Sequence, residues 1–344
     1  MKLLPMHERP FDLMGYGEVM LRLTPPDKDR IALSDSFSKT AGGSELNVCC
    51  GASALGLRSG IITALPDNAL GQFVKNRIRF AGVSDDHLLL SNEPNARLGV
   101  YYYEMGAYPR KSSVLYDRAD SSFTHLRLED IPDFPFDKTR AFHVSGITPA
   151  LGEVPRRTTL ELIHRFKEQG AAISFDVNYR AALWSEEEAY RTVCQILPLV
   201  DVLFISEETS RRMMGRKGTV EEIAKGYHEE FGCQLMAMTM RQVTSPTRHS
   251  WDSMLYDAAT DSFYREDPYE DIEVVDRIGS GDAYLSGVLS SLLLDLGPEK
   301  ALKTGNAMAA IKNTVMGDMP VSDWKEINSI IAAHEGQQQS EMNR

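Results

Sequence analysis

The strongest constraint on the fold is a regular alternation of apolar segments with amphipathic ones. The apolar segments are continuous runs typical of buried strands, and they occupy residues 59–66, 140–147, 171–177 and 201–206. The amphipathic segments have helical spacing, and they occupy residues 68–82, 153–170, 185–199 and 219–232. Strands that are apolar throughout indicate a sheet covered on both faces. The sequence therefore predicts an α/β fold with a doubly wound, mostly parallel sheet.

One part of the chain departs from this alternation. Residues 97–105 (RLGVYYYEM) and 111–118 (KSSVLYDR) are two strand-like segments, rich in Tyr and Val, with only the turn-like GAYPR between them. Residues 15–40 also have an extended pattern. We therefore expect a single domain over residues 1–335, with a small β lid from about residues 15–40 and 97–120, and a polar tail at residues 336–344. The exposed edge of such a lid predicts a homodimer.

The net charge of −12 narrows the possible partners. General affinity for nucleic acid or for an anionic membrane is not expected, and an anionic substrate requires locally placed Arg or Lys. None of the four cysteines forms a C-x-x-C pair, so a zinc site is not expected. The N-terminus has no apolar run like a signal peptide, and no apolar stretch reaches the roughly 18 residues of a membrane span. We therefore expect a cytoplasmic protein.

Residues 276–284 (DRIGSGDAY) place a small-residue turn directly before a long apolar helix. Gly279 and Gly281, on either side of Ser280, permit a sharp turn, and the helix adds unpaired N–H groups and the positive end of its dipole. This combination suits a phosphate group. Asp282 would lie beside the anion, where a carboxylate can accept the proton of an attacking hydroxyl. The alternative is an ordinary helix cap at Ser280 or Asp282.

Residues 39–56 (KTAGGSELNVCCGASALG) place a second glycine turn before a helix of small residues. Gly42 and Gly43 would let a ligand approach the main chain, and Ser44 is expected to cap the helix. The small residues that follow let this helix pack close to a neighbouring backbone. The alternative is a tight loop and a close-packed helix without a ligand.

Together these stretches resemble the paired signatures of the PfkB (ribokinase-like) carbohydrate kinases, over nearly the whole chain. AGGSELNV and DRIGSGDAY carry the resemblance. Within that family, residues 114–122 (VLYDRADSS) and 175–184 (FDVNYRAALW) are similar to 2-keto-3-deoxygluconate kinases, as are HVSGITPAL and LFISEE. The resemblance implies a ribokinase-like fold, ATP and Mg²⁺ as cofactors, and transfer of a phosphoryl group to a hydroxyl of this sugar acid.

The residues around the expected cavity suit such a substrate on their own chemistry. Tyr116 and Arg118 are two residues apart on a strand and therefore face the same side. Arg180 follows the strand at 171–177, at the carboxyl end where ligands bind open α/β sheets. Arginine side chains bind carboxylates with paired hydrogen bonds. For Tyr101, contact with the substrate and packing within the lid remain open alternatives.

The resemblance also assigns roles to individual residues. It implies that Asp282 is the general base and that Gly279, Ser280 and Gly281 form the anion hole. The residues implied for the substrate are Gly42, Gly43, Tyr101, Tyr116, Arg118, Arg180 and Asp318. The residues implied for the nucleotide are Asn178, Arg180, Ser206, Arg277, Gly279 and Gly281. Asp318 is equally open to the interpretation of an ordinary aspartate in a loop turn.

Several departures from the family pattern affect the nucleotide and the metal. Arg277 stands where Thr is common, and it either contacts a nucleotide phosphate or is only exposed. The N-x-x-E motif that organises magnesium aligns with Ser206 and Thr209, so its glutamate is absent, although Glu207 and Glu208 lie beside it. We therefore expect ATP phosphates and water to hold most of the magnesium. Residues 239–251 replace the usual K-x-G-x-x-G, so nucleotide contacts there are not assigned.

Two other functions remain alternatives. One is a neutral-sugar kinase such as a fructokinase, and the other is a sugar-binding regulator without catalysis. The intact Asp282 and its neighbouring glycines argue against the regulator.

Overall fold

The computed structural model describes residues 9–131, 136–245 and 247–336. The strands, numbered along the chain, are β1 Phe11–Tyr16, β2 Met20–Thr24, β3 Ser38–Gly42, β4 Ser59–Pro66, β5 Leu88–Ser91, β6 Val100–Glu104, β7 Ser113–Asp117, β8 Thr139–Ser145, β9 Ala172–Asp176, β10 Val202–Ser206, β11 Leu235–Ser245, β12 Arg248–Asp257, β13 Ser262–Tyr264 and β14 Tyr269–Glu273. The helices are α1 Ser44–Ala54, α2 Ala69–Phe80, α3 Glu153–Glu168, α4 Glu186–Ile196, α5 Glu207–Arg212, α6 Val220–Phe231, α7 Ser280–Leu293, α8 Pro298–Asn313 and α9 Trp324–His334.

The main sheet has the strand order β13-β12-β11-β10-β9-β8-β1-β4-β5, with β14 also paired to β12. Neighbouring strands from β11 to β5 run parallel. Beyond β11 the pairing is antiparallel, since β12 folds back on β11 and then pairs with β13 and β14. The predicted doubly wound, mostly parallel sheet is therefore confirmed, with an antiparallel edge added.

Apolar cores cover both faces of the main sheet. Neighbouring residues on β1 point to opposite sides, so Leu13 packs into one core and Met14 into the other. Ile61 and Ile62 on β4 divide in the same way. The first core includes residues of α1, α2, α7, α8 and α9, and the second includes residues of α3, α4 and α6. Burial on both faces explains why the parallel strands are apolar throughout.

Local sequence determines where several helices begin. Ser185 caps α4 in a capping box with Glu188, and Thr219 caps α6 in the same way with Glu222. Asn68 caps α2 by accepting hydrogen bonds from two backbone N–H groups. These boundaries agree with the sequence prediction within two residues at the N-termini of all three helices.

The second sheet has four strands in the order β3-β2-β6-β7. It corresponds to the predicted lid, but its strands cover only part of the expected ranges. Residues 15 and 16 belong to β1 of the main sheet, and a 3₁₀ turn at Pro26–Lys28 interrupts the stretch between β2 and β3. Its edges are β3 and β7, and the homodimer through this sheet stays a prediction. We refer to these four strands as the lid sheet.

The topology gathers the loops that form the candidate site. From β1 the chain continues to β4 on one side of the main sheet, whereas β8 continues to β9 on the other. Ligands bind open α/β sheets at such a switch point, beyond the carboxyl ends of the strands. Within the described ranges, no helix is long and apolar enough to cross a lipid bilayer. Residues 337–344 of the predicted polar tail lie outside the described residues.

Candidate active site

A cavity of about 730 Å³ lies between the lid sheet and the carboxyl ends of the central strands. Its volume is typical of a site for small molecules. The cavity is lined by all the residues that were assigned to substrate, nucleotide or catalysis: Gly42, Gly43, Tyr101, Tyr116, Arg118, Asn178, Arg180, Ser206, Arg277, Gly279, Ser280, Gly281, Asp282 and Asp318. The structure thus brings together residues from distant parts of the chain, although their individual roles stay predictions.

Asp282 lies in the first turn of α7, and both of its carboxylate oxygens accept hydrogen bonds. Ser44 Oγ donates to Oδ1 over 2.9 Å, and Asn47 Nδ2 donates to Oδ2 over 2.7 Å. Burial raises the pKa of Asp282 to about 6, although the bonds from Asn47 and Ser44 act in the opposite direction. A carboxylate with this pKa is ionised at neutral pH and can still accept a proton.

The N-terminus of α7 has no side-chain cap. Its N-cap residue is Gly279, and Ser280 Oγ donates backwards to the Arg277 carbonyl over 3.0 Å. Asp282 is bonded to residues of α1 rather than to the N–H groups of its own helix. The alternative of an ordinary cap at Ser280 or Asp282 is therefore wrong.

The glycine turn before α7 is tight on one side and open on the other. Gly279 has φ +82°, and a Cβ there would lie 2.1 Å from the carbonyl oxygen of Asp318. A Cβ on Gly281 would meet no atom within 4 Å. Because Gly281 lines the cavity, its free side is available to a ligand. The turn, with the helix N-terminus behind it, can bind an anion.

The prediction that Ser44 caps α1 is wrong. Gly43 is the N-cap, and Ser44 is the first residue of the helix. The Ser44 hydroxyl instead donates to Asp282 and accepts a hydrogen bond from Asn178 Nδ2 over 3.1 Å. The sequence reasoning also missed Asn47. Its spacing of three residues from Ser44, on the same face of the helix, was the available signal.

The structure gives a different reason for glycine at positions 42 and 43 from the predicted one, which was the approach of a ligand to the main chain. A Cβ on Gly42 would lie 2.1 Å from a carboxylate oxygen of Asp318, and a Cβ on Gly43 would lie 2.3 Å from the carbonyl oxygen of Glu18. Protein groups, rather than a ligand, therefore occupy the space that the missing side chains leave. Both glycines nevertheless line the cavity.

Asp318 and Tyr101 are joined to each other in the wall of the cavity. The Tyr101 hydroxyl donates to one carboxylate oxygen of Asp318, and Arg22 Nη1 donates to the other over 2.5 Å. Burial raises the pKa of Asp318, and the positive charge of Arg22 opposes this effect. The aspartate is thus more than a residue in a loop turn, because it connects the lid sheet to the wall of the cavity.

Arg118 and Tyr116 face the cavity together, as their spacing predicted. Arg118 Nε donates to Glu18 Oε2 over 2.7 Å, and its guanidinium lies 5.5 Å from the centre of the Tyr116 ring. Glu18 also accepts a hydrogen bond from Ser121. A substrate carboxylate at this position would meet an arginine that already has a carboxylate partner. Glu18 was missed by the sequence reasoning.

Arg180, which follows β9, is an exposed arginine that lines the cavity. Its Nη1 donates to the carbonyl oxygen of Tyr179 over 3.1 Å. Its charge lowers the pKa of both Asp176 and Asp282, so the guanidinium is electrostatically close to these two carboxyl groups. An arginine in this position can pair with a charged group of a ligand.

Asp176, at the end of β9, is a second carboxyl group with a perturbed pKa. Burial and the neighbouring charge of Asp282 raise its pKa to about 7. Glu45 lies in the same region, fully buried, and accepts hydrogen bonds from Ser145 and Thr148. Clustered carboxyl groups with raised pKa values are typical of functional sites. Both residues lie in stretches that carry the family resemblance, AGGSELNV and FDVNYRAALW, but the sequence reasoning assigned neither a role.

The described residues contain no cluster of three His, Cys, Asp or Glu side chains that could hold a metal ion alone. Ser206 caps α5 by accepting from the Thr209 N–H, so the residues aligned with N-x-x-E have a structural role. Glu208 lines the cavity, whereas Glu207 is paired with Arg211. A single carboxylate together with phosphates and water suits Mg²⁺.

Comparison with known proteins supports the family resemblance found in the sequence. Residues 11–325 match the pfkB family of carbohydrate kinases. A 2-dehydro-3-deoxygalactonokinase of Haloferax volcanii is 36% identical over 321 residues, which cover 93% of this chain and 96% of that protein. A 2-dehydro-3-deoxygluconokinase of Bacillus subtilis is 27% identical over 309 residues, which cover 90% and 91%.

One solved structure is similar over nearly its full length. The crystal structure of a 2-dehydro-3-deoxygluconokinase from Thermotoga maritima is 32% identical and has a TM-score of 0.89, covering 95% of this chain and 99% of that chain. The family resemblance inferred from the two glycine-rich stretches is confirmed, and so is the expected ribokinase-like fold.

Proposed function

The chain belongs to the PfkB family of carbohydrate kinases, and we propose that it transfers the γ-phosphoryl group of ATP to a hydroxyl of 2-dehydro-3-deoxygluconate (2-keto-3-deoxygluconate). The observation that carries this proposal is the position of Asp282. Its carboxylate lies in a cavity, directly beside a helix N-terminus with an open glycine turn. The names of the relatives, which include kinases of two epimeric sugar acids, support an acidic sugar as the substrate class.

In the proposed reaction, Asp282 accepts the proton of the attacking hydroxyl. Ser44 and Asn47 hold its two oxygens, so the carboxylate is oriented before the substrate arrives. The N–H groups of Gly279, Ser280 and Gly281 stabilise the negative charge on the transferred phosphoryl group. Arg180 binds the carboxylate of the sugar acid, with Tyr116 and Arg118 on the facing wall.

The magnesium ion bound with ATP would be held by phosphate oxygens, by water and by Glu208, and it would neutralise charge on the β- and γ-phosphates. Asn178, Ser206 and Arg277 also line the cavity and are proposed to contact the nucleotide. In the region 239–251, Thr239 and Trp251 also line the cavity.

The proposed function is tested by ATP turnover with a panel of acidic and neutral sugars. Formation of ADP is expected with 2-dehydro-3-deoxygluconate or its galactonate epimer, and it should depend on Mg²⁺. Preference for a neutral sugar such as fructose would favour the fructokinase alternative. Sugar binding without any ADP formation would instead indicate a regulator.

Acidic pH is expected to reduce kcat/KM because a protonated Asp282 cannot accept the hydroxyl proton. Its pKa is raised to about 6, and that of the neighbouring Asp176 to about 7. Activity should therefore be present at alkaline pH, begin to fall below about pH 7, and reach half its alkaline value near pH 6. The measurement is a pH–rate profile with a sugar acid. A profile whose acid limb lies near the ordinary aspartate pKa of about 4 would argue against Asp282 as the base.

Replacing Gly281 by alanine is expected to leave the fold intact and to weaken nucleotide binding. The added Cβ would meet no protein atom within 4 Å, but it would enter the side of the turn that faces the cavity. Loss of one hydrogen bond to a charged phosphate predicts a roughly 10-fold higher KM for ATP. Steady-state kinetics and thermal unfolding measure the two effects.

A matched control is Gly226→Ala, within α6, where the added Cβ makes only an ordinary contact with Arg216. That variant should keep the KM for ATP of the parent. An unchanged KM in Gly281→Ala would show that the turn does not bind the nucleotide.

A further inference from the structure

A buried lysine lies directly behind the glycine turn that precedes α7. Lys312, in the last turn of α8, is only 2% exposed, and its Nζ donates to the carbonyl oxygens of Val315 and Asp276 over 2.9 and 3.3 Å. Burial lowers the pKa of Lys312, whereas the charges of Asp276 and Asp318 raise it. Burying a cation is costly unless it is paired, so its presence beside this turn requires a reason.

Lys312 belongs to a compact group of four charged side chains. Arg22, on β2 of the lid sheet, is 1% exposed and forms ion pairs of 2.6 Å with Asp276 and 2.5 Å with Asp318. Asp276 and Asp318 are themselves almost fully buried. When all four groups are ionised, the two cations balance the two carboxylates. Removing Lys312 would therefore leave one excess negative charge behind a turn suited to an anion.

The same group determines the path of the turn. Oδ1 of Asp276 accepts from the N–H of Ile278 over 3.1 Å, and Oδ2 accepts from the N–H of Gly317 over 3.0 Å. Gly279 then packs directly against the backbone of Asp318. The turn is thus shaped by the loop at residues 314–318. Lys312 Nζ donates to one carbonyl oxygen in each of these segments, that of Asp276 before the turn and that of Val315 in the loop.

We propose that Lys312 is a positioning residue for phosphoryl transfer, a built-in cation that holds the anion-binding turn against the loop at 314–318. This inference rests on the proposed role of the Gly279–Asp282 turn. Backbone carbonyl oxygens can coordinate a cation in place of its hydration water. Here the two carbonyl oxygens accept hydrogen bonds from the ammonium group of Lys312, a cation that is a permanent part of the chain. Its charge also offsets the charges of Asp276 and Asp318.

The test compares Lys312→Met with the parent. Methionine keeps an unbranched apolar stem and removes the charge and the donor. The expected result is a roughly 10-fold lower kcat with an unchanged KM for the sugar acid. The reason is that groups displaced from their productive position accelerate the reaction less. Lys303→Met is the matched control, since Lys303 lies on the same helix but pairs with Glu299 and Glu335 at its outer side. That control should retain the parent kcat.

Chemical rescue separates positioning from simple stabilisation. In Lys312→Ala, ammonium or potassium ions are expected to restore kcat severalfold, because the two carbonyl oxygens then face an empty space. Choline at the same ionic strength, which is too large for that space, should not. Thermal unfolding in the same salts shows whether the rescue is only a gain in stability.

The parent provides a test that does not depend on any variant folding. Its kcat should be the same in sodium, potassium and choline salts, because Lys312 already supplies the cation. A parent kcat that rises severalfold with potassium would overturn the inference, as would parent-like kcat in Lys312→Met. If the parent turned over ATP with none of the sugars tried, the proposed function itself would fail. That outcome differs from the two above, which overturn only the inference about Lys312.

Discussion

Asp282→Asn is expected to lower kcat roughly 100- to 10,000-fold, the usual range for the loss of a general base. Asparagine keeps the shape of the side chain but cannot take a proton from the attacking hydroxyl. Its amide oxygen can still accept one of the two hydrogen bonds that Ser44 and Asn47 now donate to the carboxylate. Binding of the sugar acid and of ATP should therefore change little. Steady-state kinetics and calorimetric titration measure these two properties.

A surface variant provides the control for this experiment. Asp86→Asn makes the same chemical change at an exposed position away from the cavity and should retain the parent kcat. If Asp282→Asn kept kcat within about threefold of the parent, proton transfer would not depend on this carboxylate. Asp176, with its pKa raised to about 7, would then become the next candidate for the base.

The second large effect is expected for Arg180→Ala with an acidic substrate. A hydrogen bond to a charged group contributes about 1.5 to 3 kcal/mol, so kcat/KM for 2-dehydro-3-deoxygluconate should fall roughly 10- to 150-fold. A neutral sugar such as fructose has no carboxylate and should lose much less. Because the charge of Arg180 also lowers the pKa of Asp282, the comparison belongs at alkaline pH, where the base is ionised in both proteins.

Two further variants identify the source of that effect. Arg180→Lys should recover only part of the loss, since an ammonium group cannot reproduce a two-pronged contact. Arg211→Ala, which removes an arginine paired with Glu207 outside the cavity, should leave both substrates unaffected. An equal loss on acidic and neutral sugars in Arg180→Ala would mean that Arg180 serves the nucleotide or the fold.

The fold was largely predictable because its parallel strands are buried on both faces. Runs such as residues 59–66 and 201–206 have no polar face, and the structure places them as β4 and β10 of the main sheet. The antiparallel edge formed by β11 to β14 was not predicted. The pairing of these strands depends on their neighbours rather than on a distinct local pattern.

The candidate site was predictable where one short stretch carries both the turn and the carboxylate proposed as the base. The glycines at 279 and 281 and Asp282 are adjacent in sequence, and so their joint position at a helix N-terminus could be inferred. The partners of Asp282 could not be inferred in the same way. Asn47 and Asp282 are separated by 235 residues and meet only because α1 packs against α7.

The same limit applies to the charged groups behind the turn. Arg22 comes from the lid sheet and Lys312 from α8, and no motif of the sequence analysis includes either residue. Only the packing of both elements on Asp276 and Asp318 places these side chains in the interior. Sequence spacing carries no information about contacts between such distant segments.

The most direct measurement is an internal competition between an acidic and a neutral sugar. The parent protein is given ATP, Mg²⁺ and equal concentrations of 2-dehydro-3-deoxygluconate and fructose, and the phosphorylated products are identified by mass spectrometry and ³¹P NMR. The expected result is that the phosphorylated sugar acid accumulates first and in large excess, with one ADP formed for each product molecule. Predominant formation of fructose phosphate, or ADP formation without any phosphorylated sugar acid, would contradict the proposed sugar-acid kinase.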